Sequence, residues 1–208
     1  AEGFEAVLLP ACVGSKHSAP VGHLAQRIGK PVMLVPTLPP SLLGARIAQR
    51  LSSSVSSLGG VFMPGDRAVG YALDKDRIAK IFTVNHEDIA LEAGDFILAT
   101  GSFFSQGLRS DPNGVREPVF NLDQVDMPGQ RDAWTAKSVF EPQPYSRFGV
   151  RTDASMRVFM GGTPVPNLYA SGMVLGGYDA VRLGCGAGVA LTTALAAAES
   201  ILRGRAAT

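Results

Sequence analysis

Cysteine is scarce: the 208-residue chain has only Cys12 and Cys185. Two thiols build no disulfide framework, and a reducing compartment is expected. An excess of charge of one sign is also missing. The 19 Lys and Arg nearly balance 18 Asp and Glu, leaving a net charge of +1. There is no basic stripe for nucleic acid and no polybasic membrane patch. No run reaches the roughly 18 apolar residues of a membrane-spanning helix, because Gly and Arg interrupt each candidate. The 24 glycines and 14 prolines are about 18% of the chain, below the roughly 25–30% of low-complexity disorder. There is no initiator Met, and no charged start with a long apolar stretch such as a signal peptide shows. Residues Glu5 to Leu9 already read as a buried strand, so the chain is expected to be a piece of a longer protein.

What is present is enough apolar residue, 46%, for a sizeable core. Residues 4–55 alternate strand and helix signals. Glu5–Leu9 and Pro31–Val35 read as strands, each closed by proline. Val21–Ile28 reads as a short helix ending at Gly29. A second helix starts near Pro39-Pro40-Ser41, and its apolar residues Leu43, Ile47, Leu51 and Val55 step by four. Residues 60–91 read as antiparallel strands: Gly60–Met63, a turn at Pro64-Gly65-Asp66, then Ala68–Leu73 and Ile78–Val84 around a hairpin at 74–76. The remainder holds two strand-to-glycine junctions, Asp95 to Gly101 and Asn167 to Gly172, separated by a long irregular segment at about 103–165. A helix from Cys185 to Arg203 follows. Ala187, Leu191, Ala194, Leu195, Ala198 and Leu202 form its apolar face, small enough to pack closely on a sheet.

The junctions carry the first candidate chemistry. Ala99, Thr100 and Gly101 end one apolar strand, and Ser171 and Gly172 end the other. Small residues at a strand's carboxyl end let a ligand approach the backbone, as in open α/β sheets. The bland alternative is a turn in which glycine supplies an unusual φ. The second candidate is the glycine run Gly176, Gly177, Gly184, Gly186 and Gly188. Glycines at a helix start expose unpaired N–H groups at the positive end of the macrodipole, where a phosphate or a reduced flavin's anionic edge is stabilised. Close helix–sheet packing is the alternative. No strand–GxGxxG–helix fingerprint stands near the start, so the pyrophosphate-binding lobe of any dinucleotide site lies outside these residues.

The polar candidates are weaker. His86 sits in a loop after a strand, and Arg116 in Asn113 to Pro118 could clamp an anion bidentately or only pair locally. His17 and His23 have no partners at metal-ligand spacing, and no metal is expected. Cys185 at a helix start is read as a space-filling residue. Ser102 and Ser171 lack a nucleophile elbow.

Taken in order, LPACVG (9–14), LVPTLPPSLLGARI (34–47), GGVFMPGD (59–66), NHEDI (85–89), LATGSFFSQGL (98–108), NGVREP (113–118), EPQPYSRFGV (141–150) and NLYASGMVLGGYDAVRLGCGAGVA (167–190) resemble the B subunits of anaerobic glycerol-3-phosphate dehydrogenases, over their carboxyl-terminal part. The resemblance implies an α/β fold: a partial FAD/NAD(P)-binding, two-dinucleotide-type flavoprotein lobe plus an inserted α+β domain, with the amino-terminal GxGxxG part absent. The division expected is 1–15 and 93–208 for the flavin lobe and 16–92 for the inserted unit with its hairpin. The resemblance also implies oxidation of glycerol 3-phosphate to dihydroxyacetone phosphate, with electrons passed to a quinone. The partners implied are a catalytic A subunit, together with a membrane-associated iron–sulfur C subunit, in the cytoplasm at the inner membrane. The flavin is FAD by fold type, or the FMN attributed to the family. Met173 stands where related flavoproteins often have an acidic residue. A non-catalytic scaffold for the A subunit, or a related FAD-dependent oxidoreductase with another substrate, remains an alternative. The isolated chain is expected to be inactive.

Overall fold

The computed structural model describes residues 3–14, 17–38, 41–125 and 127–206. Two compact units divide at Gly65 and Asp66. The first contains β1 (Val7–Pro10), α1 (Ala19–Ile28), β2 (Val32–Val35) and α2 (Leu42–Ser57). β1 and β2 pair in parallel, Leu8 opposite Met33. This is the strand–helix–strand unit that the apolar runs predict. Gly29 ends α1 in the left-handed conformation, φ 68°, as a C-terminal glycine does. Pro39 and Pro40 lie outside the described residues; Ser41 caps α2, its hydroxyl accepting from the Gly44 N–H at 3.0 Å. The expected strand at Gly60–Met63 is irregular chain. Gly59 before it, Gly60 as its first residue and Pro64 after it leave too little room for a ladder.

The second unit runs through β3 (Ala68–Asp74), β4 (Arg77–Thr83), β5 (His86–Glu92), β6 (Phe96–Leu98), β7 (Arg109–Asp111), β8 (Gly114–Arg116), β9 (Gln124–Val125), β10 (Gly149–Val150), β11 (Arg157–Met160), β12 (Thr163–Ala170), α3 (Ala180–Leu183) and α4 (Gly186–Ala206). β3, β4 and β5 form an antiparallel sheet, with the 74–76 hairpin as expected. β5 carries little strand signal of its own, since Glu87, Asp88 and Glu92 are poor strand formers; the two-residue turn Val84–Asn85 folds it back. A second sheet orders β11-β12-β6, with β12 and β6 parallel and Ala170 opposite Leu98. The segment expected to be irregular supplies several short pairs. One is the β11–β12 hairpin, whose turn Gly161-Gly162 has φ 58° and 80°, the positive values a two-residue hairpin requires.

Ile78 of β4 shares one buried cluster with Leu98, Val158, Leu168 and Val174. Asn167 of β12, 1% exposed, fastens the two sheets together. Its Oδ1 accepts from the Ile78 N–H at 2.9 Å, and its Nδ2 donates to the carbonyls of Ile78 at 2.8 Å and Gly94 at 3.1 Å. Residues 66–92 therefore belong with the second unit. The expected boundaries at 15 and 92 differ from this division because a hairpin's tertiary partner has no local signal. α4 packs on β12 and on the turn that follows it; Val189, Thr193 and Ile201 are half-buried and Ala197 is fully buried. The stripe expected to pack on the sheet instead faces outward: Leu191, Leu195 and Leu202 are 72%, 61% and 65% exposed. No helix among the described residues is long and apolar enough to cross a membrane.

Replacing Asn167 with Leu, which has the same branching of side-chain heavy atoms, leaves both backbone groups of Ile78 buried without their partner. A loss of about 2–4 kcal/mol is expected, read as a lower urea midpoint with an unchanged slope.

Candidate functional site

The register of β6 on β12 places the two strand ends side by side. The Ser171 N–H donates to the Leu98 carbonyl at 3.0 Å. Ala99-Thr100-Gly101 and Ser171-Gly172 thus leave the sheet from neighbouring positions, at its carboxyl edge. Both glycines have positive φ, 78° and 73°, which other residues adopt only with strain. Gly172 opens a short 3-10 turn, Gly172–Val174, and is held at both backbone groups. Its N–H donates to Thr193 Oγ1 of α4 at 2.9 Å, and its carbonyl accepts from the Tyr178 hydroxyl at 3.0 Å. Burial pushes the Tyr178 hydroxyl above its ordinary pKa, with Cys185 adding to the effect. Tyr178 therefore stays a donor.

The start of α4 lies over this turn. A side chain added at Gly186 would meet Met173 Sδ at 3.4 Å. One added at Gly188 would meet nothing within 4 Å. Among the described residues, no group accepts from the N–H of Gly186, Ala187 or Gly188. A helix start of 21 residues, three free N–H groups and a glycine-lined approach can hold a planar ligand edge that carries or gains negative charge.

The remaining glycines divide by role. Gly184 caps α3 in the left-handed conformation, φ 60°, so it ends one helix rather than opening the next. At Gly176 a Cβ would stand 2.9 Å from both the N and the O of Gly149, and closer still to Val125 Cγ2. Its N–H donates to the Val150 carbonyl at 3.2 Å. Gly176 is a backbone-to-backbone packing residue, and Gly149 is its counterpart. Gly177, φ 92°, has open space around it and donates to the Arg147 carbonyl at 2.8 Å. Gly176, Gly177, Tyr178, Val189 and Thr193 line a cleft of about 370 Å³. Sequence reasoning misses Gly149, Tyr178 and Thr193. A tyrosine next to paired glycines is the one signal it offers for them.

The two polar candidates stand apart from this arrangement. His86 is the first residue of β5, not a loop residue. Its Nδ1 lies 2.9 Å from Asp66 Oδ2. The Asp66 side chain is 7% exposed. Burial pushes this carboxyl upward. Hydrogen bonds from the Asn85 N–H, the Thr83 hydroxyl, the Arg67 N–H and His86 outweigh that and hold its pKa at about 2. Arg116 pairs with Asp111 Oδ2 at 3.0 Å on the exposed β7–β8 hairpin. Next to it, Glu117 is fully buried and accepts from the N–H groups of Val119 at 3.0 Å and Phe120 at 2.6 Å. Burial raises its pKa despite those bonds. It closes a loop. Among the described residues there is no cluster of three metal-ligating side chains around His17, His23 or elsewhere.

Residues 1–189 match the family described as the FAD binding domain. Relatives named as the B subunit of anaerobic glycerol-3-phosphate dehydrogenase align along nearly the whole chain. The one from Yersinia enterocolitica is 48% identical over 95% of this chain and 46% of its own length. That from Pectobacterium carotovorum is 48% identical over 98% of this chain and 48% of its own. That from Glaesserella parasuis is 41% identical over 97% and 48%. The chain spans about half the length of these relatives. No solved structure matches it.

Two measurements check the site's construction. Gly176→Ala forces a clash with Gly149 and is expected to lower stability by about 1–3 kcal/mol, whereas Gly186→Ala, at a helix start with ordinary contact distances, leaves the urea midpoint unchanged or slightly raised. Asp66 has a folded pKa below its ordinary 3.8, so its contribution is full above pH 4 and fades as pH falls towards 2. The thermal midpoint should drop across that window in the wild type, and drop less in Asp66→Asn.

Proposed function

The chain belongs to the FAD binding domain family, and on that premise we propose that it forms the flavin-ring end of a dehydrogenase that oxidises glycerol 3-phosphate. The observation that carries this is the meeting of two parallel strand ends with the free N–H groups of α4. FAD is the cofactor that the family match supports; bound, it supplies two-electron acceptor chemistry. The residues present fit it. The N–H groups of Gly186, Ala187 and Gly188 would stabilise negative charge on the bound flavin without a titrating side chain. Gly172, fixed by Thr193 and Tyr178, would leave room for it beside the helix start. Met173 contributes polarizable bulk rather than charge beside Gly186.

In this reading the remainder of the two-part flavin lobe comes from a strand, a GxGxxG loop and a helix preceding the chain. Two features support it. β6 pairs with β12 on one edge and with no other strand among the described residues. The outward stripe of α4 is apolar, as a helix is when a second layer covers it. The reaction proposed converts glycerol 3-phosphate to dihydroxyacetone phosphate. Electrons pass onward through a membrane-associated iron–sulfur C subunit to a quinone, with the catalytic A subunit beside this chain at the cytoplasmic face of the inner membrane. One observation favours a second reading, in which the protein scaffolds the A subunit without turning over substrate: His86 and Arg116, the two polar candidates of the sequence, are each paired with a carboxylate, Asp66 and Asp111.

Gly186→Val and Glu199→Gln separate the readings in protein extended to the relatives' length and loaded with FAD. Val at 186 is expected to expel the flavin or to lower its two-electron potential by about 10–20 mV. Glu199, paired with Arg203, should leave both unchanged. Bleaching of the flavin by glycerol 3-phosphate supports the dehydrogenase reading. Gly186→Val protein that folds by circular dichroism and keeps flavin and potential makes the scaffold reading the better one.

A further inference from the structure

We propose that a second cleft, beside Thr100 at the end of β6, binds the phosphate group of a phosphomonoester through Arg67 and Arg109. The cleft has a volume of about 360 Å³, and Asp66, Thr100, Ser105 and Gln106 complete its polar lining. That volume is at the small end for ligand sites and suits a short phosphorylated carbon chain rather than a dinucleotide.

The charge balance of the cleft is unfinished. Among the described residues, neither arginine has a carboxylate partner; Arg109 donates only to Gln106 Oε1, at 3.2 Å. The β7–β8 register sets Arg109 directly opposite Arg116. Like charges in that position weaken a hairpin. Arg116 is relieved by Asp111, and Arg109 is not. Asp66 is the one carboxylate in the lining, and its oxygens are already taken by the N–H groups of Arg67 and Asn85 and by His86. An anion with several acceptor oxygens is the missing partner, and the planar guanidinium fork fits phosphate.

The cleft is also rigidly built. Gln106 holds a left-handed conformation, φ 62°, which is strained for a residue with a side chain. It is kept there because Gly107 lies against the carbonyls of Thr100 and Gly101, where no Cβ fits. The Ser105 hydroxyl donates to the Thr100 carbonyl at 2.8 Å, and the Gly107 N–H to the Ser102 carbonyl at 3.0 Å. The same loop thus presents Gln106, orients Arg109 and joins the cleft to the strand end next to Ser171. The phosphate class rests on the cleft itself; glycerol 3-phosphate as the particular ester rests on the function proposed above.

The test is calorimetric titration of the chain with inorganic phosphate, glycerol 3-phosphate and glycerol, in wild type, Arg67→Gln, Arg109→Gln, Arg67→Lys and Arg203→Gln. Both phosphates are expected to bind the wild type and glycerol not to bind. Each Gln variant should weaken phosphate binding about tenfold. Arg67→Lys should recover part of the loss, and Arg203→Gln should bind as the wild type does. All three positions are exposed, and thermal midpoints check folding. Gln variants that bind phosphate like the wild type overturn the proposal. So does a loss of FAD retention with phosphate affinity intact, which would assign the cleft to the flavin's diphosphate. Phosphate binding that needs both arginines but shows no preference for glycerol 3-phosphate upholds the site and counts against the glycerol-phosphate reading alone.

Discussion

The side chain of Asn167 is the constraint on which the second unit depends. It meets Ile78 at both N–H and carbonyl and reaches Gly94 as well. On its other edge β4 pairs with β5 only from Lys80, opposite Glu92, so Ile78 lies beyond the end of that ladder. Backbone groups beyond a ladder's end need a partner in a buried place. Asn167, three residues before the end of β12, is that partner. It fixes the antiparallel sheet on β12, whose parallel pairing with β6 brings the two glycine junctions together. A residue far from the junctions thereby sets their geometry.

Much of this is legible locally. The helix ending at Gly29, the strands around 7–10 and 32–35 and the hairpin at 74–76 each carry their own periodicity and punctuation. The junctions at Gly101 and Gly172 do too, because small residues and glycine after an apolar run mark a strand's end. What is not legible depends on partners. β5 is charged and forms because β4 offers an edge. Residues 66–92 read as part of an inserted unit until Asn167 reveals which core they share.

The helix α4 shows why periodicity alone misplaces a face. Its outward stripe, Leu191, Leu195 and Leu202, has the larger side chains and dominates the sequence pattern. Yet the inward side is the one with Val189, Thr193, Ala197 and Ile201, which are buried or half-buried, and Thr193 fixes that side by bonding Gly172. The glycine run is similarly ambiguous. Gly176 packs, Gly184 caps and Gly186 opens a helix, and composition gives no means to tell these three apart. Backbone contact does: a Cβ at 176 collides with Gly149, and one at 188 meets open space.

The two anion-directed features at the sheet edge differ in kind, and the difference follows the chemistry each would meet. At α4 the donors are backbone dipoles of fixed direction and partial charge. Such groups stabilise charge that develops during a reaction more than they stabilise the neutral state that precedes it, which is the condition for lowering a barrier. Beside Thr100 the donors are full guanidinium charges. They suit a group that is anionic throughout, because uniform attraction holds a ligand in place without discriminating between its states. A molecule with a permanent phosphate at one end and a reacting carbon at the other would need both kinds of donor. Pairing of Leu98 with Ala170 sets the strand ends that lead to Thr100 and Ser171 side by side, and that register is the fold's contribution to such an arrangement.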